Sequence, residues 1–156
     1  MRLRLGVRLK LFLVSLALIL VSVVVADAYL TRSTEQQVTQ SVRDDLFVRA
    51  ALVAREVTLT SAAPDDFAKW DALADNLGHA AAARVTLIAR DGTVLGDSDV
   101  PLAQLRAVEN HASRIEVASA LAGDRGATSR MSATVLRRMM YVAIPVAKSP
   151  VAVARV

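Results

Sequence analysis

The sequence predicts an α+β chain, with a long N-terminal helix leading into a mixed domain built around a five-stranded antiparallel sheet. Three observations carry this. Residues 33–60 hold neither glycine nor proline, and Val38, Val42, Leu46, Ala50, Val53 and Val57 recur at spacings of four, four, four, three and four. Two β-rich runs flank Asp91-Gly92, where glycine supplies the positive φ of a tight hairpin turn. Further β-rich runs cover 127–136 and 139–146, and another begins after Pro150.

Taken in order, the chain opens on Arg2, Arg4, Arg8 and Lys10, after which residues 11–26 carry no charge. With Leu9 before and Ala28-Tyr29-Leu30 behind, the apolar length approaches the ~20 residues a helix needs to cross hydrocarbon. Basic residues ahead of the run and Asp27 behind it place the N-terminus in the cytoplasm by the positive-inside rule. Tyr29 then sits at headgroup level. The organisation expected is a basic cytoplasmic tail over 1–10, a transmembrane helix over 11–30 and an extracytoplasmic domain over 31–156, on a single-pass protein of a bacterial inner membrane. Ala26-Asp27-Ala28 also makes an acceptable cleavage site. The rival reading is therefore a signal peptide removed after Ala28, releasing a secreted periplasmic binding protein.

The helix over 33–60 is amphipathic and would rise roughly 40 Å at 1.5 Å per residue. Its narrow apolar stripe can pack against its own domain or against a second copy of the chain, and a homodimer through this helix is the expected assembly. Pro64-Asp65-Asp66 reads as the first turn of a second helix over 65–82, with Phe67, Trp70, Leu73, Ala74 and Leu77 on its inner face. His79 near its end is compatible with the helix dipole and is assigned no site. After the hairpin comes a short helical stretch over 102–108. Ser113-Arg114-Ile115-Glu116 then forms a capping box, Ile115, Ala118, Leu121 and Ala122 an apolar face, and Gly123 a left-handed stop.

Composition excludes several classes. The net charge of +4 is supplied entirely by the four basic residues before Leu11, so the rest is balanced and offers no broad basic field for DNA or RNA. The absence of cysteine rules out disulfides, thiolate metal sites and a cysteine nucleophile. Two histidines, His79 and His111, and no G-x-S-x-G elbow leave no nucleophile and base pair. Gly123-Asp124-Arg125-Gly126 lacks the Lys-Ser/Thr of a phosphate loop, and Asp97-Ser98-Asp99 falls short of a cation coordination set. No enzyme activity, cofactor or metal is expected of this chain.

The residues that remain chemically interesting are Asn110 and His111, Arg130, and Tyr141. Asn110 and His111 can point donors into a pocket or hold a loop by bonds to the backbone. Arg130, mid-strand among small residues, can clamp a carboxylate or phosphate, or pair with Asp97 or Glu116 inside the domain. Tyr141 belongs to a half-buried strand with its hydroxyl near the same place.

A resemblance runs through this part of the chain. It rests on Arg84-Val85-Thr86-Leu87-Ile88, Asp91-Gly92-Thr93-Val94-Leu95, Asp97-Ser98, Asn110-His111, Arg114 with Glu116, and Ala120-Leu121-Ala122-Gly123. It continues in Arg130 with Ser132 and Thr134, and in Tyr141-Val142-Ala143-Ile144-Pro145-Val146. In order and spacing these resemble the extracytoplasmic sensor domain of two-component histidine kinases similar to the phosphate-regulon sensor kinase. The resemblance implies a PAS-like (Cache) fold and a sensing role toward an extracytoplasmic stimulus that the residues do not name. It also implies, downstream, a second span and a kinase core; the same sensor on a chemoreceptor or nucleotide cyclase is the alternative output. Ile115 stands where many relatives have proline. The chain ends at Val156 ahead of any second span or kinase box, so it is expected to be a truncated form of such a protein.

Overall fold

The computed structural model describes residues 6–131 and 138–156. Arg2 and Arg4 of the basic tail, Ser132 and Thr134, and the end of the strand expected over 127–136 lie outside the described residues. The chain divides into two compact units, Met1–Ser41 and Val42–Val156. One helix, α1 (Val7–Leu59), contributes to both.

In the first unit the stretch Val7–Leu30 has a mean hydropathy of 2.7, none of it buried, and it is long and apolar enough to cross a membrane. The second unit is the α+β body. Ala50, Val53, Ala54 and Val57 of α1 are buried in its core, together with Trp70 and Ala74 of α2 (Phe67–Ala81). Helix α2 starts two residues later than expected because Asp66 serves as its N-cap, accepting from the Lys69 amide at 3.2 Å. Trp70 is fully buried, and its indole N–H donates to the Ala63 carbonyl at 2.8 Å, so it packs as core.

The sheet follows. Strands β1 (Thr86–Ala89) and β2 (Val94–Asp97) form the hairpin, turning at Gly92 with φ +87°. After α3 (Leu102–Leu105) and α4 (Ile115–Leu121) come β3 (Gly126–Met131), β4 (Arg138–Pro145) and β5 (Val151–Arg155). All neighbours are antiparallel, in the order β2-β1-β5-β4-β3. The last strand therefore lies in the middle of the sheet, which is why Val151, Val153 and Ala154 are all buried. Alternation divides the faces. Leu87, Leu95, Val142, Ile144 and Ala154 face the core shared with α1 and α2, whereas Ile88, Ala143 and Val153 pack with Val117 and Ala120 of α4.

Helix α4 corrects the sequence reading. Its N-cap is Arg114, with no side-chain capping bond, so the expected capping box does not form. Ile115, placed on the apolar face, is 70% exposed, and the buried positions are Glu116, Val117 and Ala120. The helix is rotated because Glu116, taken as the reciprocal cap, turns inward to a buried partner. Gly126 permits the approach: a Cβ there would run into the Glu116 backbone. Gly123 does end the helix region in the left-handed conformation, with φ +102°.

Candidate functional site

Register across the sheet builds a polar row on the α4 face. Thr86 pairs with both Asp97 and Arg155, Arg155 with Ala143, and Ala143 with Gly126, so one line crosses β2, β1, β5, β4 and β3. Asp97, Thr86, Arg155 and Glu116, the last reaching down from α4, are all at most 2% exposed.

Their bonds form one chain. The Arg84 guanidinium grips Asp97 through Nε at 2.8 Å and Nη2 at 2.9 Å, and the Thr86 hydroxyl donates to the same carboxylate at 2.8 Å. Arg155 Nη1 reaches the Thr86 hydroxyl at 3.5 Å, and its Nε donates to Glu116 Oε1 at 2.9 Å. Burial opposes the charge on Arg84 but is outweighed by the bonds and field of Asp97, so its pKa rises. For Arg155 burial prevails over Glu116 and the pKa falls. Among the described residues, Arg155 Nη2 and Glu116 Oε2 have no hydrogen-bond partner although both are buried. Such orphans are uncommon, because an unmade buried bond costs about 1–3 kcal/mol.

Two guanidiniums stack on Tyr141. Arg155 lies 4.2 Å and Arg130 4.4 Å from the ring centroid, and Arg130 Nη2 comes within 4.0 Å of Glu116 Oε1. One carboxylate thus serves two cations around one phenol. Of the residues singled out from sequence, Arg130 and Tyr141 are brought together here, and the partner of Arg130 is Glu116 rather than Asp97.

His111 and Asn110 stand beside this cluster in different roles. His111 is 2% exposed, with Nδ1 2.8 Å from the Glu109 carbonyl oxygen. Burial, reinforced by the Arg114 charge, lowers its pKa to about 4, so it is a neutral imidazole at neutral pH. Asn110 is exposed and both ends of its amide are engaged, Nδ2 to the Asp91 carbonyl and Oδ1 with the Ala112 amide, each at 2.8 Å. It ties the loop before α4 to the hairpin turn. Asp97, weighed with Asp99 as a cation loop, is instead the buried acceptor for Arg84. Among the described residues no group of three or more His, Cys, Asp or Glu could hold a metal.

Sequence reasoning missed Arg84, Thr86 and Arg155. A signal existed for Arg155: in Val151-Ala152-Val153-Ala154-Arg155 the alternation puts it on the face of Val153, and a cation at an inward strand position requires a buried acid. The cluster can recognise anions by charge-assisted and bidentate bonds. Its ionisable groups are guanidiniums, salt-linked carboxylates and a depressed imidazole, which suit binding.

A scan against protein-family models and a search of curated proteins return no match. Among solved structures, the sensor domain of the V. cholerae histidine kinase DctB is similar over 57% of this chain, at 22% identity with a TM-score of 0.48. That overlap spans 36% of the length of the other chain.

Proposed function

We propose that this chain is the membrane-anchored, extracytoplasmic sensing module of a two-component histidine kinase, working as a homodimer and passing a stimulus across the membrane by displacement of α1. The observation that carries the reading is the single helix Val7–Leu59, whose early part is a lipid-compatible apolar stretch and whose last turns bury Ala50, Val53 and Val57 in the α+β body. A change in the body has a covalent route toward the membrane. The basic residues ahead of the stretch orient the N-terminus inward and the body outward. Coupling requires only two packings that a stimulus distinguishes by a few kcal/mol.

Topology tests this directly. Alkaline phosphatase fused after Val156 should be active, the same fusion with a cytosol-dependent fluorescent protein should be dark, and the protein should fractionate with membranes retaining its original N-terminus. A soluble product beginning at Tyr29 would make it a secreted protein, and an inactive phosphatase fusion with a bright fluorescent one would place the body inside.

A further inference from the structure

The connection from α3 to α4 is held down by one residue. Across 106–115 only His111 is buried, and the rest of the stretch is exposed or half-buried. Among the described residues, two hydrogen bonds fasten the stretch to the β1–β2 turn. The His111 amide donates to the Gly92 carbonyl at 2.9 Å, and Asn110 Nδ2 donates to the Asp91 carbonyl at 2.8 Å. The His111 carbonyl in turn accepts the amide of Arg114, the N-cap of α4, at 3.1 Å. One residue thus joins the hairpin turn to the start of the helix that carries Glu116.

That single anchor is titratable. Its Nδ1 lies 2.8 Å from the Glu109 carbonyl oxygen, which only accepts, so Nδ1 carries the hydrogen and Nε2 is the bare lone pair. Among the described residues no carboxylate pairs with either ring nitrogen. The charged groups facing the ring are Glu109 and Arg114 on its own stretch, paired at 2.6 Å, and Arg155 on β5, paired with Glu116 of α4 at 2.9 Å. Asp91 stands at the hairpin turn, and Arg130 on β3 and Tyr141 on β4 complete the surroundings. Because the ion pairs largely cancel, burial is what chiefly opposes a proton on Nε2. A charge there has no acid to meet, and the ring is solvated only by leaving its place.

We propose that His111 is the pin of an acid-opened latch: protonation of Nε2 expels the ring, releases 106–115 from the β1–β2 turn and frees the start of α4. Burial holds the imidazole pKa at about 4, against 6.5 for a solvated ring. The closed form therefore binds the proton more weakly than the open form, so the latch is fully shut above about pH 6.5 and weakens as pH falls toward 4. The flanking acids do not share this range, because hydrogen bonds from Thr93 hold Asp91, and one from Arg114 holds Glu109, below the usual carboxylate values. The latch goes beyond the sensing role proposed above and does not depend on it.

Hydrogen exchange of the full chain in lipid nanodiscs, read by mass spectrometry and corrected for the intrinsic effect of pH, provides the test. The segment over 109–115 should exchange faster than β5 at every pH and without acceleration by low urea, the mark of local opening. Its opening constant should rise roughly eightfold between pH 7 and 5.5 and roughly fiftyfold by pH 4.5. His111→Gln should abolish the rise, whereas His79→Gln, at an exposed site on α2, should retain it. Asn110→Ala removes one of the two cross-bonds and should raise exchange at every pH with the same response to acid. The inference is overturned if the segment exchanges only in step with β5, if its opening ignores pH, if His111→Gln keeps the rise, if His79→Gln loses it, or if Asn110→Ala changes nothing. None of these results bears on the fusion and fractionation experiments, so the two readings fall separately.

Discussion

At the scale of single residues, the pair Glu116–Arg155 sets the energetics of the domain interior. A buried ion pair is a weak source of net stability, but removing one partner strands the other, at about 3–5 kcal/mol. The two deletions are not equivalent here. Glu116→Leu removes the carboxylate that both Arg155 and Arg130 approach around Tyr141, whereas Arg155→Met leaves Glu116 with Arg130 at 4.0 Å. The expected order of destabilisation is Glu116→Leu largest, Arg155→Met smaller, and the double replacement less than the sum of the two. Urea unfolding followed by Trp70, the sole tryptophan and fully buried in the body, reads it out. Strict additivity would mean that the contact does not couple them. His111 supplies a second residue-scale prediction. Its folded pKa of about 4 lies below the ordinary histidine value of 6.5 because the neutral ring is buried beside Arg114. The unfolded chain therefore binds the extra proton first. Stability is fully present above about pH 6.5 and declines as pH falls toward 4, by an amount on the order of 3 kcal/mol. His111→Gln should flatten that part of the profile, and parallel wild-type and variant curves between pH 7 and 4.5 would contradict it.

At the scale of elements, what the sequence made legible is what periodicity and turn chemistry encode. The helix over 33–60, the second helix, the Asp91-Gly92 hairpin and the described parts of the three later strands all appear, because each depends on neighbours two to four residues away or on one glycine. The order β2-β1-β5-β4-β3 was not legible. It arises from the long-range pairing of β5 between β1 and β4, which no local pattern specifies. The error at α4 has the same origin. Ser113 and Glu116 satisfy the spacing of a capping box, yet a buried cation on β5 outbids a solvent-exposed cap for the same carboxylate, rotating the helix until Ile115 faces outward. The site shows a matching division. Arg130 and Tyr141 were recognisable from residue type and strand position, but Arg84, Thr86 and Arg155 acquire their importance only when register aligns them with Asp97 and Glu116.

At the scale of the whole molecule, α1 carries apolar side chains on two sides within the α+β body. Ala50, Val53 and Val57 are buried, whereas Val48, Leu52 and Leu59 are 61%, 61% and 70% exposed. At roughly 100° per residue the exposed three cluster on the side of the helix away from the buried three. Leu52 and Leu59 also border an apolar groove of about 770 Å³ with Leu77 and Ala80, edged by Arg49 and Glu56. A helix apolar on two sides is ordinarily covered on both, and a second copy anchored in the same membrane is the partner that the proposed dimer supplies. Because the chain has no cysteine, one introduced thiol reports on this face alone. Disulfide formation requires the two Cα atoms to approach within about 7 Å, so oxidation of membranes carrying Leu52→Cys should yield a species of twice the chain mass. Gln104→Cys, exposed on α3 and away from the stripe, should remain monomeric under the same oxidant. Equal cross-linking of the two, or none at Leu52, would remove α1 as the seam between copies and leave the outward stripe to some other contact.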